Sequence, residues 1–311
     1  MALFKILKPK FLFLFITFLF CQQAVFSQYP VANSRSAQKF ITKQNGKFCI
    51  SETSGLPIPY EQGGEFINGL CVVEKNKKAG CIDTTGKLII DTIYAYISNS
   101  EMRKELLVRS INGKYGIVDF KNKIIIDTIY NGLKPGRYGY ILRQNNLYGY
   151  ADLNAKIILP IEYDRIQNVF SNGLAQITKL NKSGYFNTKG QIKIPLKYQL
   201  AESFDENYAV VKFGGNYRVI DTLGKELKTD QFDLIVGFEG GLAAVMKNNK
   251  WGFINTSGKT VVPLIYDKTQ SYSSGYYIAQ LRDEEYYFYK NGKLKEKHLR
   301  VDLQTVETIR N

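Results

Sequence analysis

A chain of 311 residues with 23% charged residues and a formal charge of +14 has room for one large domain or two ordinary ones, and enough apolar sequence to bury a core. Its Lys and Arg residues are spread along the whole length without a run of five or six, which argues against nucleic acid and reads as a solvated basic surface. The 22 Tyr and 19 Phe beside 26 Gly and 8 Pro point to strands joined by many tight turns, and a single His excludes histidine-rich metal chemistry.

The N-terminus reads as a leader. Lys5, Lys8 and Lys10 precede an apolar run from Phe11 to Phe20, and Ala24-Val25-Phe26-Ser27 supplies small or permissive residues before Gln28. Cleavage between Ser27 and Gln28 is the expectation, which makes 1–27 a signal peptide, 28–39 a linker and the product exported, periplasmic or extracellular. Gln22 and Gln23 cut the run short of a membrane span, and bulky Phe20 before Cys21 argues against lipidation. Loss of three lysines and no acid brings the charge from +14 to +11. Export permits disulfides, yet Cys49, Cys71 and Cys81 are an odd three, so one local pair among them is all the sequence allows.

From residue 40 to 298 the chain repeats itself. Ala79-Gly80, Tyr115-Gly116, Tyr148-Gly149, Ser183-Gly184, Tyr217-Arg218 and Trp251-Gly252 occupy one column, at steps of 36, 33, 35, 34 and 34 residues. An Asp or Asn column (Asp83, Asp119, Asp152, Asn187, Asp221, Asn255) and a Tyr or Phe column (Tyr94, Tyr130, Tyr163, Tyr198, Phe232, Tyr266) keep time with it. Worn copies at 48–60 and 286–292 bring the count to about eight units, with atypical ends as a stacked array requires. A polar tail, 299–311, follows.

Each unit reads as a three-stranded antiparallel β-meander, with a fourth short strand conceivable near Tyr266. In the last clear unit, Gly241 to Met246 and Trp251 to Ile254 are apolar runs flanking Asn248-Asn249. Asn-Asn, Gly-Gly or Asn-Gly at this place is a two-residue hairpin signal, since a type I′ turn needs positive φ twice. The Asx column and the following Gly predict a second turn, and Pro263, Pro195 and Pro160 confine the third strand to an edge. Both faces of each strand are apolar, so both are covered, most simply by neighbouring units. The fold expected is therefore all-β and propeller-like, with an open β-solenoid as the alternative.

Lys250-Trp251-Gly252-Phe253-Ile254-Asn255 and Lys114-Tyr115-Gly116-Ile117-Val118-Asp119, with Gly-Leu-Ala upstream and Pro-x-x-Tyr-Asp downstream, resemble the bacterial WG repeat, also called KWG. The resemblance covers nearly the whole mature chain, although Trp survives once and Arg218 replaces one Gly. It implies a repeat-built β protein, often exported or part of an envelope or signalling assembly.

No catalytic motif stands out. His298 reads as a solvated residue of the polar tail beyond the last unit, no Gly-x-Ser-x-Gly elbow or phosphate loop occurs, and the Asp columns recur as turn residues do. Glu284 and Glu285 beside Asp283 are the one acidic cluster off the repeat's register. The expectation is no enzyme, no cofactor, no metal and no transmembrane segment after leader removal. The function expected is an exported scaffold that binds an envelope protein or glycan, or alternatively a self-associating structural component. A carboxylate-based glycan-active enzyme ranks last. The dense set Tyr272, Tyr276, Tyr277, Tyr286, Tyr287 and Tyr289 is the candidate contact surface, or a cap on the array's end.

Overall fold

The computed structural model describes residues 41–44, 47–50, 59–99, 103–273 and 275–299. The leader with its Ser27–Gln28 junction, the 28–39 linker and the tail beyond Leu299 lie outside them, as do the side chains of Cys49 and Tyr272.

Among the described residues every regular element is a strand. A two-stranded hairpin, Ile41–Gln44 with Lys47–Ile50, precedes seven sheets spanning 62–94 (sheet 1), 96–130 (sheet 2), 132–163 (sheet 3), 165–198 (sheet 4), 200–221 (sheet 5), 234–266 (sheet 6) and 268–299 (sheet 7). Each is an antiparallel meander in strict chain order. Six have four strands, not three; in sheet 6 these are Leu234–Glu239, Leu242–Lys247, Lys250–Asn255 and Thr260–Tyr266. The additional strand lies just past the Tyr column, as the short strand expected near Tyr266 does, but it joins the next unit's sheet, so Lys268–Ser273 opens sheet 7.

The turn chemistry explains the hairpins. Asn248 and Asn249 sit at φ of 52° and 58°, and the pairs Asn76-Lys77, Asn145-Asn146, Leu180-Asn181 and Gly214-Gly215 are likewise left-handed at both positions. Sheet 2 departs from the expected type I′ turn. Its loop runs from Ser110 to Lys114, with only Gly113 left-handed and its N–H donated to the Ser110 carbonyl at 2.9 Å.

The Gly after the Trp column has a packing reason. A Cβ at Gly252 would stand 2.5 Å from the Val262 carbonyl oxygen of the fourth strand, and one at Gly80 or Gly184 meets Ile90 or Ile194 at the same 2.5 Å. There the fourth strand bulges: Trp251 pairs with Tyr266 and Phe253 with Val262, leaving the residues between them, Pro263 included, outside the regular ladder. In sheet 5 Arg218 occupies this column, and the sheet has three strands. The chain makes one bridge, Ile220 with Glu226, while the Arg218 guanidinium reaches the Glu226 carboxylate at 2.7 Å. The hairpin survives that substitution; the closing strand does not.

Sheets pack face to face with their chain neighbours. In sheet 6, Ala243, Val245 and Ile254 lie against Val210 and Val219 of sheet 5, while Leu242, Phe253, Val262 and Tyr266 lie against Tyr277, Ala279 and Phe288 of sheet 7. Every such side chain is buried, and each contributes roughly 1.5–3 kcal/mol when large and apolar. Equivalent clusters join each pair of consecutive sheets from 1 to 7. No cluster among the described residues joins sheet 1 to sheet 7. Most of the Tyr column is core: Tyr130, Tyr163, Tyr198, Phe232 and Tyr266 are buried, while Tyr94 is half-buried. The Tyr198 hydroxyl is buried without a hydrogen-bond partner among the described residues.

Candidate functional site

The residues that recur in every unit are occupied by that unit's own backbone. Asn255 Oδ1 accepts the N–H groups of Ser257 and Lys259, both at 3.0 Å, and Asp119 Oδ1 those of Lys121 and Lys123, both at 2.8 Å. Asp83, Asp152, Asn187 and Asp221 do the same. At Asp83 slight burial pushes the carboxyl up, but the hydrogen bonds from Thr85 and Lys87 prevail and hold it below the usual carboxylate range. The second acidic column closes the hairpins: Asp233 Oδ2 accepts the Asn248 N–H at 2.7 Å and Asp267 Oδ2 the Arg282 N–H at 2.9 Å. Among the described residues no group of three or more metal-ligating side chains is gathered together.

Of the expected acidic cluster, Glu284 takes the Lys297 ammonium at 2.8 Å, and Glu285 takes the Gln280 amide and the Tyr287 hydroxyl, each at 3.0 Å. His298 is not a tail residue. It pairs with Glu285 in the last strand, Leu294–Leu299, and its ring meets Tyr287 edge-on at 5.4 Å. Cys71 and Cys81 are buried free thiols whose strand positions put them on opposite faces of sheet 1, so they do not pair with each other. Burial, the larger influence at both, pushes these thiols up to about 11 and about 12.

The tyrosine set does not form one surface. Tyr277 is buried in the core between sheets 6 and 7, with its hydroxyl donated to the Glu239 carbonyl, and Tyr286 packs on Tyr266 at 5.2 Å on the same face. Tyr276, Tyr287 and Tyr289 lie on the opposite, outer face of sheet 7. There Tyr276 and Tyr289 meet edge-on at 5.8 Å, and the Lys295 ammonium sits 4.0 Å above the Tyr276 ring. Two of the six thus belong to the core and three to the terminal face.

A second departure from the repeat lies between sheets 4 and 5, and it went unassigned in the sequence. Aligned through the hairpins, Val236, Ala244, Met246 and Trp251 of sheet 6 become Gln167, Gln176, Thr178 and Ser183 of sheet 4. Where Trp251 helps fill the groove facing the next sheet, only about 130 Å³ is left. Where Ser183 stands, the groove is about 540 Å³, lined also by Asp164, Gln199, Glu202 and Ser203. The lining is held in place: Gln167 Nε2 donates to Gln176 Oε1 at 2.7 Å, Ser203 to Gln167 Oε1 at 3.0 Å, and the Thr178 and Ser183 hydroxyls share a bond of 2.9 Å. Glu202 is anchored through its main chain, whose carbonyl accepts the Tyr185 hydroxyl at 2.5 Å. Burial holds its carboxyl above the usual carboxylate range. The signal was present in Ser183, the one hydroxyl-bearing aliphatic residue in a column otherwise of Ala79, tyrosines and Trp251, but a serine acquires a groove only once the next unit's strand is placed opposite it.

The profile of the WG containing repeat matches residues 80–101, 148–182, 184–217, 217–251 and 251–284, about half of the chain in five copies. No curated protein matches it. Among solved structures, the computationally designed Ika8 protein is 12% identical, with 78% of this chain and 88% of that one covered at a TM-score of 0.33. Kluyveromyces lactis Hsv2p is 13% identical, with 75% and 96% covered and the same TM-score of 0.33.

Proposed function

The chain belongs to the WG-repeat family, and from that premise we propose that it is an exported, non-catalytic scaffold whose rigid stack of sheets presents recognition surfaces to a protein or glycan of the cell envelope. One observation carries the reading. The recurring Asx, Gly and Tyr columns are consumed by turns and core, so variation is free only where a unit departs from them, at the sheet 4–5 groove and the outer face of sheet 7. A stacked array lets such sites change without disturbing the frame that holds them. The leader-like segment ending at Ser27 supports export, and the spread positive charge supports an envelope rich in anionic groups.

The test is capture of partners from fractionated envelope extract by the purified chain, at low and at moderate salt. A discrete partner retained at moderate salt is the expected result. Capture at low salt alone means that charge attracts polyanions without recognition, and concentration-dependent light scattering without any partner moves the protein to a self-associating structural role.

A further inference from the structure

The groove between sheets 4 and 5 is specific to that unit and has a chemistry of its own. In this frame its counterpart between sheets 6 and 7 has Val236, Ala244 and Trp251 on one wall, whereas Gln167, Gln176 and Ser183 stand at those positions here. Three polar replacements in one inter-sheet groove, Gln167 bonded to Gln176 and Ser203, and Ser183 bonded to Thr178, are more than one worn column. Two carboxylates, Asp164 and Glu202, border the same space, and neither accepts a hydrogen bond among the described residues. In the second acidic column Asp233 and Asp267 cap the following hairpin, so Asp164 stands apart from them.

We propose that this groove is a binding site for a neutral polyhydroxylated ligand, a sugar residue of a glycan. The inference rests on the scaffold reading above and names the ligand class for one of its surfaces. Sugar hydroxyls donate and accept at once, and the lining matches that: amide oxygens and nitrogens, hydroxyls that do both, and two carboxylates that only accept. A charge-assisted bond from a sugar hydroxyl to Glu202 or Asp164 is the strongest contact available. An anionic ligand is disfavoured, because the one cation in the lining, Arg165, stands beside those two carboxylates. An apolar ligand is disfavoured because it would cut off from water the Asp164 and Glu202 carboxylates, which accept no hydrogen bond among the described residues. The volume of about 540 Å³ falls within the roughly 300–1,000 Å³ of small-molecule sites. Leu200, exposed at the groove's edge, offers an apolar surface for the C–H face of a pyranose.

The experiment is calorimetric titration of the full exported chain with cellotriose, maltotriose, mannotriose and chitotriose, with triglycine and inorganic phosphate as controls. The expected result is binding of at least one trisaccharide and neither control. Ser183→Trp, which restores the indole carried by the sixth sheet, then weakens that saccharide at least tenfold, and Glu202→Gln weakens it about tenfold while leaving the fold intact. Should Ser183→Trp fail to fold, Glu202→Gln and Gln176→Leu decide the matter. Undiminished saccharide binding by the folded variants places the site elsewhere and overturns the proposal. Binding of phosphate or triglycine in place of sugar overturns it too. No saccharide binding while a discrete envelope partner is still captured sinks the groove assignment and leaves the scaffold reading standing. Loss of both sinks the two together.

Discussion

The groove between sheets 4 and 5 and the groove between sheets 6 and 7 are built on one frame yet end in opposite states. Between sheets 6 and 7 the repeat's indole, with Val236, Ala244 and Phe253, closes the space to about 130 Å³. Between sheets 4 and 5 the frame is kept: Gly184 still lies under the Ile194 carbonyl, and Tyr198 is fully buried as its column requires. Only the filling has changed, to Gln167, Gln176 and Ser183, and the space is about 540 Å³. The lesson is that the Gly and Tyr columns carry the fold while the Trp column carries the contents of the groove, so one can vary without the other.

If that division holds, the largest effect comes from striking the frame. Gly184→Val and Gly252→Val each force a side chain into a fourth-strand carbonyl, and both should cost about 3 kcal/mol in denaturant unfolding, open groove or closed. A mild result at Gly184 alone would mean that the two frames differ after all. Emptying the closed groove comes next. Trp251→Ser should cost about 2 kcal/mol, less than a fully buried Trp because the ring is half-buried. The reverse change, Ser183→Trp, should alter the melt by no more than about 1 kcal/mol if the frame accepts an indole at either place. Removing a turn cap is smaller still. Asn187→Ala and Asn255→Ala should each cost about 1 kcal/mol, equally in both units, since the bonds are local to the turn.

The smallest effect separates the grooves by pH. Glu202 is aligned with Gln270 of the closed groove, and burial raises its carboxyl above the ordinary value of 4.5. The folded state therefore holds that proton more tightly than the unfolded chain does, so stability falls as pH rises from 4.5 through the raised value and is level above it. Glu202→Gln should remove this decline, and superimposable melts of variant and parent across that window would show that the carboxyl is not buried as described.

Much of the frame was legible because it is written locally. Asn248-Asn249 announces its own turn, Asn255 its own cap, and unbroken apolar runs such as Leu242 to Val245 announce burial on both faces. What escaped reading depends on partners far along the chain. The first strand of sheets 4 and 5, Arg165–Ile166 and Leu200–Ala201, is two residues long and carries no period of its own; pairing with the next hairpin defines it. The missing fourth strand at sheet 5 coincides with Arg218, a visible departure at a column where Gly252 lies under a fourth-strand carbonyl in sheet 6. The tyrosine set misled for a related reason. Along a strand alternate residues face opposite ways, so Tyr276 and Tyr277, or Tyr286 and Tyr287, cannot share a surface however dense the sequence appears. The groove was the least legible, because half of its wall, Gln199 to Ser203, is encoded by the following unit.

That each sheet takes its opening strand from the tail of the preceding sequence unit has a consequence for how such genes change length. Recombination that gains or drops one period, cut at any phase, still delivers an opening strand to every interior hairpin, so no interior sheet is left incomplete. The two ends alone feel the edit. Copy number can therefore drift at little structural cost, and a groove such as the one below sheet 5 can be duplicated or lost whole only when two adjacent units travel together.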